Sequence, residues 1–60
     1  MNKAQMALQE VYNRVRKELE EHVECEADAR KRGDREESEY CYAKTMAFIQ
    51  VLDIIESVGE

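Results

Sequence analysis

Arg30-Lys31-Arg32-Gly33-Asp34-Arg35-Glu36-Glu37 is the stretch on which the fold of this chain turns. Three basic residues complement the negative end of a helix. The glycine after them adopts the left-handed conformation without a Cβ penalty, and an aspartate then opens a segment with acids in its first turn. Asp34 and Glu37 have capping-box spacing, in which each side chain satisfies the other's backbone N–H. The stretch reads as helix end, tight turn and helix start. One continuous helix through Gly33 is the competing reading, because an interior glycine costs only about 1 kcal/mol relative to alanine. The agreement of the capping signals favours the break.

Upstream, Ala4, Leu8, Val11, Tyr12, Val15, Leu19 and Val23 follow the 3.6-residue period of an amphipathic helix, with Asn2 as N-cap and Gln5 completing a capping box. Downstream, the apolar pattern continues to Val58, with Gly59 as the stop. The expected fold is all-α: an antiparallel helical hairpin, about 3–32 and 35–58, forming a single domain over 1–60. A two-residue connection folds the helices back on each other. Counting outward from Gly33 sets Leu8 near Val58, Tyr12 near Ile54 and Ile55, Val15 near Val51 and Leu52, and Leu19 near Ala47 and Phe48, so apolar residues meet.

The second helix carries more apolar surface than one neighbour covers. Cys41, Phe48, Leu52 and Ile55 centre its arc; Tyr40, Ala47, Val51, Ile54 and Val58 widen one side, Tyr42 and Ile49 the other. Glu36, Glu39, Gln50, Asp53 and Ser57 form the solvent ridge, with Met46 among them. An arc wider than about 100° is normally buried on more than one side. Self-association follows as an expectation, most simply a two-fold dimer forming a four-helix bundle, with Tyr40, Ala47, Phe48, Val51, Leu52, Ile54, Ile55 and Val58 at the oligomer interface. Length supports this, because a 60-residue chain buries only about 60% of its unfolded surface and needs a disulfide, a metal or a partner subunit.

In architecture the chain looks like the Rop-type RNA-binding dimers of plasmid copy control. Separately, Asp34-Arg35-Glu36-Glu37-Ser38-Glu39-Tyr40-Cys41-Tyr42-Ala43-Lys44, followed by Phe48-Ile49-Gln50-Val51-Leu52-Asp53-Ile54-Ile55-Glu56, is similar to the ends of short uncharacterised phage and prophage proteins. That resemblance, over less than half the chain, implies a mobile-element origin and a regulatory or host-directed role.

Composition narrows the function classes. Charged residues are 38% of the chain and the formal net charge is −5, which disfavours nucleic acid and anionic membranes as partners. A modest basic and polar set, Lys3, Asn13, Arg14 and Lys17, would serve a Rop-like RNA-binding alternative. No apolar run is longer than Met46-Ala47-Phe48-Ile49, far below the roughly 20 residues of a membrane span, and the polar start lacks a secretory h-region, so a cytoplasmic location is expected. A lone histidine and no glycine-rich phosphate loop argue against an enzyme, and no cofactor is expected.

Near the turn the stripe becomes polar: His22, Glu26 and Arg30 face Glu37, Cys41 and Lys44. Cys25 and Cys41 lie eight residues on either side of Gly33. A metal- or redox-responsive alternative would use His22, Cys25 and Cys41, with Glu26 as a fourth ligand, although paired Cys-x-x-Cys spacing is absent. Reduced thiols without metal, with Cys41 as a small buried hydrophobe, are the simpler expectation. Glu18, Glu20, Glu21, Glu24, Glu26 and Asp28 read as a hydrated surface with basic partners Arg14, Arg16 and Lys17 at i,i+4. The outward row Glu21, Glu24 and Asp28, with Arg30 and Arg32 close by, is the candidate surface for an unknown protein partner. The favoured function is a small acidic, non-catalytic regulator or inhibitor acting through such a surface.

Overall fold

The computed structural model describes residues 2–59, which form two helices, α1 (Lys3–Arg32) and α2 (Arg35–Gly59), packed along each other as a hairpin. The molecule is a rod of 47 × 15 × 10 Å. Its length is that of α1 itself, since a 30-residue helix rises about 45 Å.

Both ends of α1 are capped as its residues dictate. The Gln5 N–H donates to Asn2 Oδ1 at 2.8 Å and the Asn2 N–H donates to Gln5 Oε1 at 3.1 Å, a complete capping box. At the other end Gly33 sits at φ 75°, its N–H donates to Arg30 O at 3.1 Å, and the Asp34 N–H donates to Ala29 O at 2.9 Å. This is the Schellman arrangement that terminates a helix, and it excludes the continuous rod.

The expected second capping box forms only by half. Asp34 Oδ1 accepts from the Glu37 N–H at 3.0 Å, but the Asp34 N–H that Glu37 would have capped already donates to Ala29 O. The Schellman bond outcompetes the box, and the Glu37 carboxylate is released for other contacts. The end of α2 also differs slightly: the helix includes Gly59, where Val58 was the expected last residue. A Cβ placed on Gly59 would lie 3.4 Å from Leu8 Cδ2, so this end of α2 rests against α1.

The seam between the helices steps alternately by three and four residues, which is how a coiled coil keeps one face turned to its partner. On α1 it runs through Leu8, Tyr12, Val15, Leu19, His22, Glu26 and Ala29; on α2 through Ser38, Cys41, Thr45, Phe48, Leu52 and Ile55, all buried or half-buried. Tyr12 reaches Glu56 and Leu8 reaches Gly59, within a residue or two of the expected register, while Phe48, expected beside Leu19, packs against His22 three residues further along α1. The buried part is small, comprising Ala29, Cys41, Thr45 and Leu52 among the described residues. Thr45 is accommodated there because its hydroxyl donates to Cys41 O at 2.8 Å, satisfying the buried oxygen within its own helix.

Candidate functional site

Four regions carry chemistry or unpartnered surface. Near the turn, the released Glu37 carboxylate lies between the two thiols. Cys25 Sγ and Cys41 Sγ each donate to Glu37 Oε1 at 3.7 Å, and the three donor atoms lie within 4.8 Å of one another. α2 places Glu37 and Cys41 one turn apart on one face, and α1 presents Cys25 opposite them. Cys41 is 1% exposed and Cys25 and Glu37 are half-buried, so the cluster is closed beneath and open at its rim. The Cys25 thiol beside it is the main influence that pushes the Cys41 thiol up to about 12, with burial and the Glu37 charge acting in the same sense. Both cysteines are free thiols.

Of the residues expected around a metal, the structure joins Cys25 and Cys41 but engages the other two elsewhere. His22 packs against Phe48 with the rings tilted and their centroids 5.2 Å apart, and its Nδ1 is 2.7 Å from Glu18 O, which requires Nδ1–H to be the donor. Glu26 pairs with Arg30 at 2.8 Å. Glu37 takes their place. Sequence spacing missed it because the capping-box pattern had already assigned its carboxylate to a backbone N–H.

A second region is the flank of the seam to which Cys25 and Glu37 belong. Stepping by seven from that contact gives Glu18 and Lys44, then Val11 and Val51, then Ala4 and Val58, a ladder of facing positions. The Tyr40 side chain beside it raises the Lys44 pKa, the Glu18 and Cys41 charges acting in the same sense; the ammonium lies 5.1 Å from the Tyr40 ring centroid. Alongside the ladder α2 adds Tyr40, Ala47 and Ile54. Tyr40 is 56%, Ile54 62% and Val58 72% exposed, and Val11 and Val51 are exposed too. The structure thus divides the expected oligomer interface. Leu52 is already buried against α1, and Phe48 and Ile55 are half-covered by it, while Tyr40, Ala47, Val51, Ile54 and Val58 are free.

The third region is the outer face of α1. Glu21 and Glu24 are exposed and form no ion pair among the described residues. Asp28 pairs with Arg32 at 3.2 Å, and Arg30 is held by Glu26, so both arginines of the proposed surface are tied within their own helix. Arg16 meets Glu20 at 3.4 Å as expected; Arg14 turns back to Glu10 at 2.7 Å and does not meet Glu18. With Arg14 so paired and Asn13 accepting from Gln9, half of the basic and polar set of an RNA-binding face is engaged. These exposed pairs are worth only ~0.3–0.5 kcal/mol each and leave the arginines free to exchange partners.

At the open end, Gln5, Leu8, Gln9, Tyr12, Ile55, Glu56 and Gly59 line a shallow cleft of about 400 Å³. The Tyr12 hydroxyl donates to Glu56 Oε1 at 3.0 Å there, and that bond, reinforced by the carboxylate charge, raises the tyrosine pKa. No helix among the described residues is long and apolar enough to cross a membrane. Comparison of the chain with protein-family models, with curated proteins and with solved structures returned no match.

Proposed function

We propose that this chain is a small, non-catalytic binding protein that pairs through the exposed α2 flank into a four-helix bundle and acts on a protein partner as a regulator or inhibitor. The observation that carries the reading is the row Ala47, Val51, Ile54 and Val58, apolar at steps of four, three and four residues, with Tyr40 one heptad before Ala47, all uncovered by α1. An apolar row of this period is what a neighbouring helix covers in a bundle. Area supports the same conclusion. The hairpin exposes 4917 Å², against roughly 4,100 Å² expected of a folded 7.1 kDa monomer. The excess, about 800 Å², matches one partner's share of a standard interface.

A second copy suits this row better than a foreign surface, because a two-fold contact sets the same apolar residues of both chains against each other. Pairing leaves the α1 outer face in water, where Glu21, Glu24 and Asp28 are repeated by symmetry. Such solvated charge governs association rate and partner choice more than affinity.

Sedimentation of the parent beside Ile54→Glu and Val58→Glu tests the assembly. The parent is expected as a dimer at tens of micromolar, on the order of the concentration that populates a moderate interface. Each variant should be monomeric with its helical circular dichroism retained. A parent that sediments as a monomer removes the bundle.

A further inference from the structure

We propose that Cys25, Glu37 and Cys41 form a zinc site that clamps α1 to α2 beside the turn. The inference is independent of the dimer and of the partner. Zinc bonds to thiolate sulfur at about 2.3 Å and to carboxylate oxygen at about 2.0 Å, so in a tetrahedral site sulfur and oxygen stand about 3.5 Å apart. Glu37 Oε1 is 3.7 Å from each sulfur, and the whole set fits within 4.8 Å. An ion placed among the three donors therefore needs only small side-chain shifts.

The donor chemistry selects the metal. Two thiolates with one carboxylate suit borderline zinc; magnesium and calcium require an all-oxygen shell, and copper(I) prefers all-soft ligands. On binding, each thiol loses its proton to solvent and the two Sγ–H···Oε1 bonds are replaced by Zn–S and Zn–O bonds. Two thiolates and a carboxylate bring three negative charges to one dication. The half-exposed rim at Cys25 leaves a fourth position for water.

Location gives the clamp a purpose. This end of the seam is held by Ala29, Ser38 and the Glu26 side chain, where the far end has Leu52, Ile55, Leu8 and Val15. It is the least apolar stretch of the hairpin, and among the described residues it holds the one cluster of three potential ligand groups, drawn from both helices. Glu37 is available because the Schellman turn uses the Asp34 N–H, so the bond that closes the turn also frees a ligand for the site.

Cobalt(II) titration of the full-length protein, reduced with a non-chelating phosphine, provides the test. A sulfur-to-cobalt charge-transfer band with tetrahedral d–d bands should saturate at one metal per chain, disappear on adding zinc, and accompany a rise in melting temperature. Cys25→Ser should weaken binding by at least the 10–100-fold that loss of a mere outer-shell partner costs. Glu37→Gln, which keeps the size and the backbone cap, should weaken it while the metal-free melt is unchanged. No charge-transfer band in the folded, reduced parent overturns the site. So does undiminished binding in either variant, or one metal shared by two chains.

Discussion

Gly33 and Glu37 show how much one backbone bond redirects. Gly33 takes φ 75°, and nothing lies within 4 Å of where a Cβ would stand, so alanine there meets no clash and pays only for the left-handed backbone. Gly33→Ala should destabilise the hairpin by about 1 kcal/mol, read as a lowered midpoint in denaturant with unchanged slope. A stabilised variant would mean that the chain prefers the continuous helix. Glu37 is the complementary case: its neighbour's N–H is taken by Ala29 O, and a carboxylate that sequence assigns to a cap ends between two thiols.

At the scale of the helices, each has one stripe facing the other, but the stripes differ in quality along their length. Among the described residues Leu52 is the one large aliphatic side chain that is buried, beside Tyr12, Val15, Leu8 and Leu19 that are only half-covered. Leu52→Ala should cost about 2–3 kcal/mol, the lower part of the range for leucine truncation, because a thin seam collapses around the gap. Thermal melts at matched concentration measure it. A variant that melts like the parent would place Leu52 outside the core. The ion pairs of both helices run i,i+4 within one helix, so they support helix formation and contribute nothing to holding α1 against α2.

For the whole molecule the deciding quantity is the surface that two helices cannot hide. A rod 15 Å by 10 Å in section leaves each helix open on most of its circumference, and α2 has apolar residues on that open part. The bundle reading follows from this, and partner binding is then expected on the acidic α1 face. Reversing Glu21, Glu24 and Asp28 to Lys should slow association with a co-purified partner and remove its acceleration at low salt, while the melting temperature moves little. Association unchanged by the triple reversal would make the acidic face a solubilising surface and shift the site to the exposed part of α2 around Tyr40, Tyr42 and Met46.

Sequence alone determined the two helices, their caps at Asn2 and Gly33 and the approximate register, because caps and periodicity are local and the turn leaves the helices only one way to meet. It also brought Cys25 and Cys41 to similar heights by counting from the turn. Tertiary structure decided what the side chains at those heights do. Whether His22 faces a thiol or Phe48, whether Glu26 is a ligand or Arg30's partner, and whether Glu37 caps a helix or joins two sulfurs depend on competition for the same hydrogen-bonding groups. The split of the α2 arc has the same origin. Its period marks every apolar position alike, and only the packing of α1 over Cys41, Phe48, Leu52 and Ile55 leaves Tyr40, Val51, Ile54 and Val58 in water.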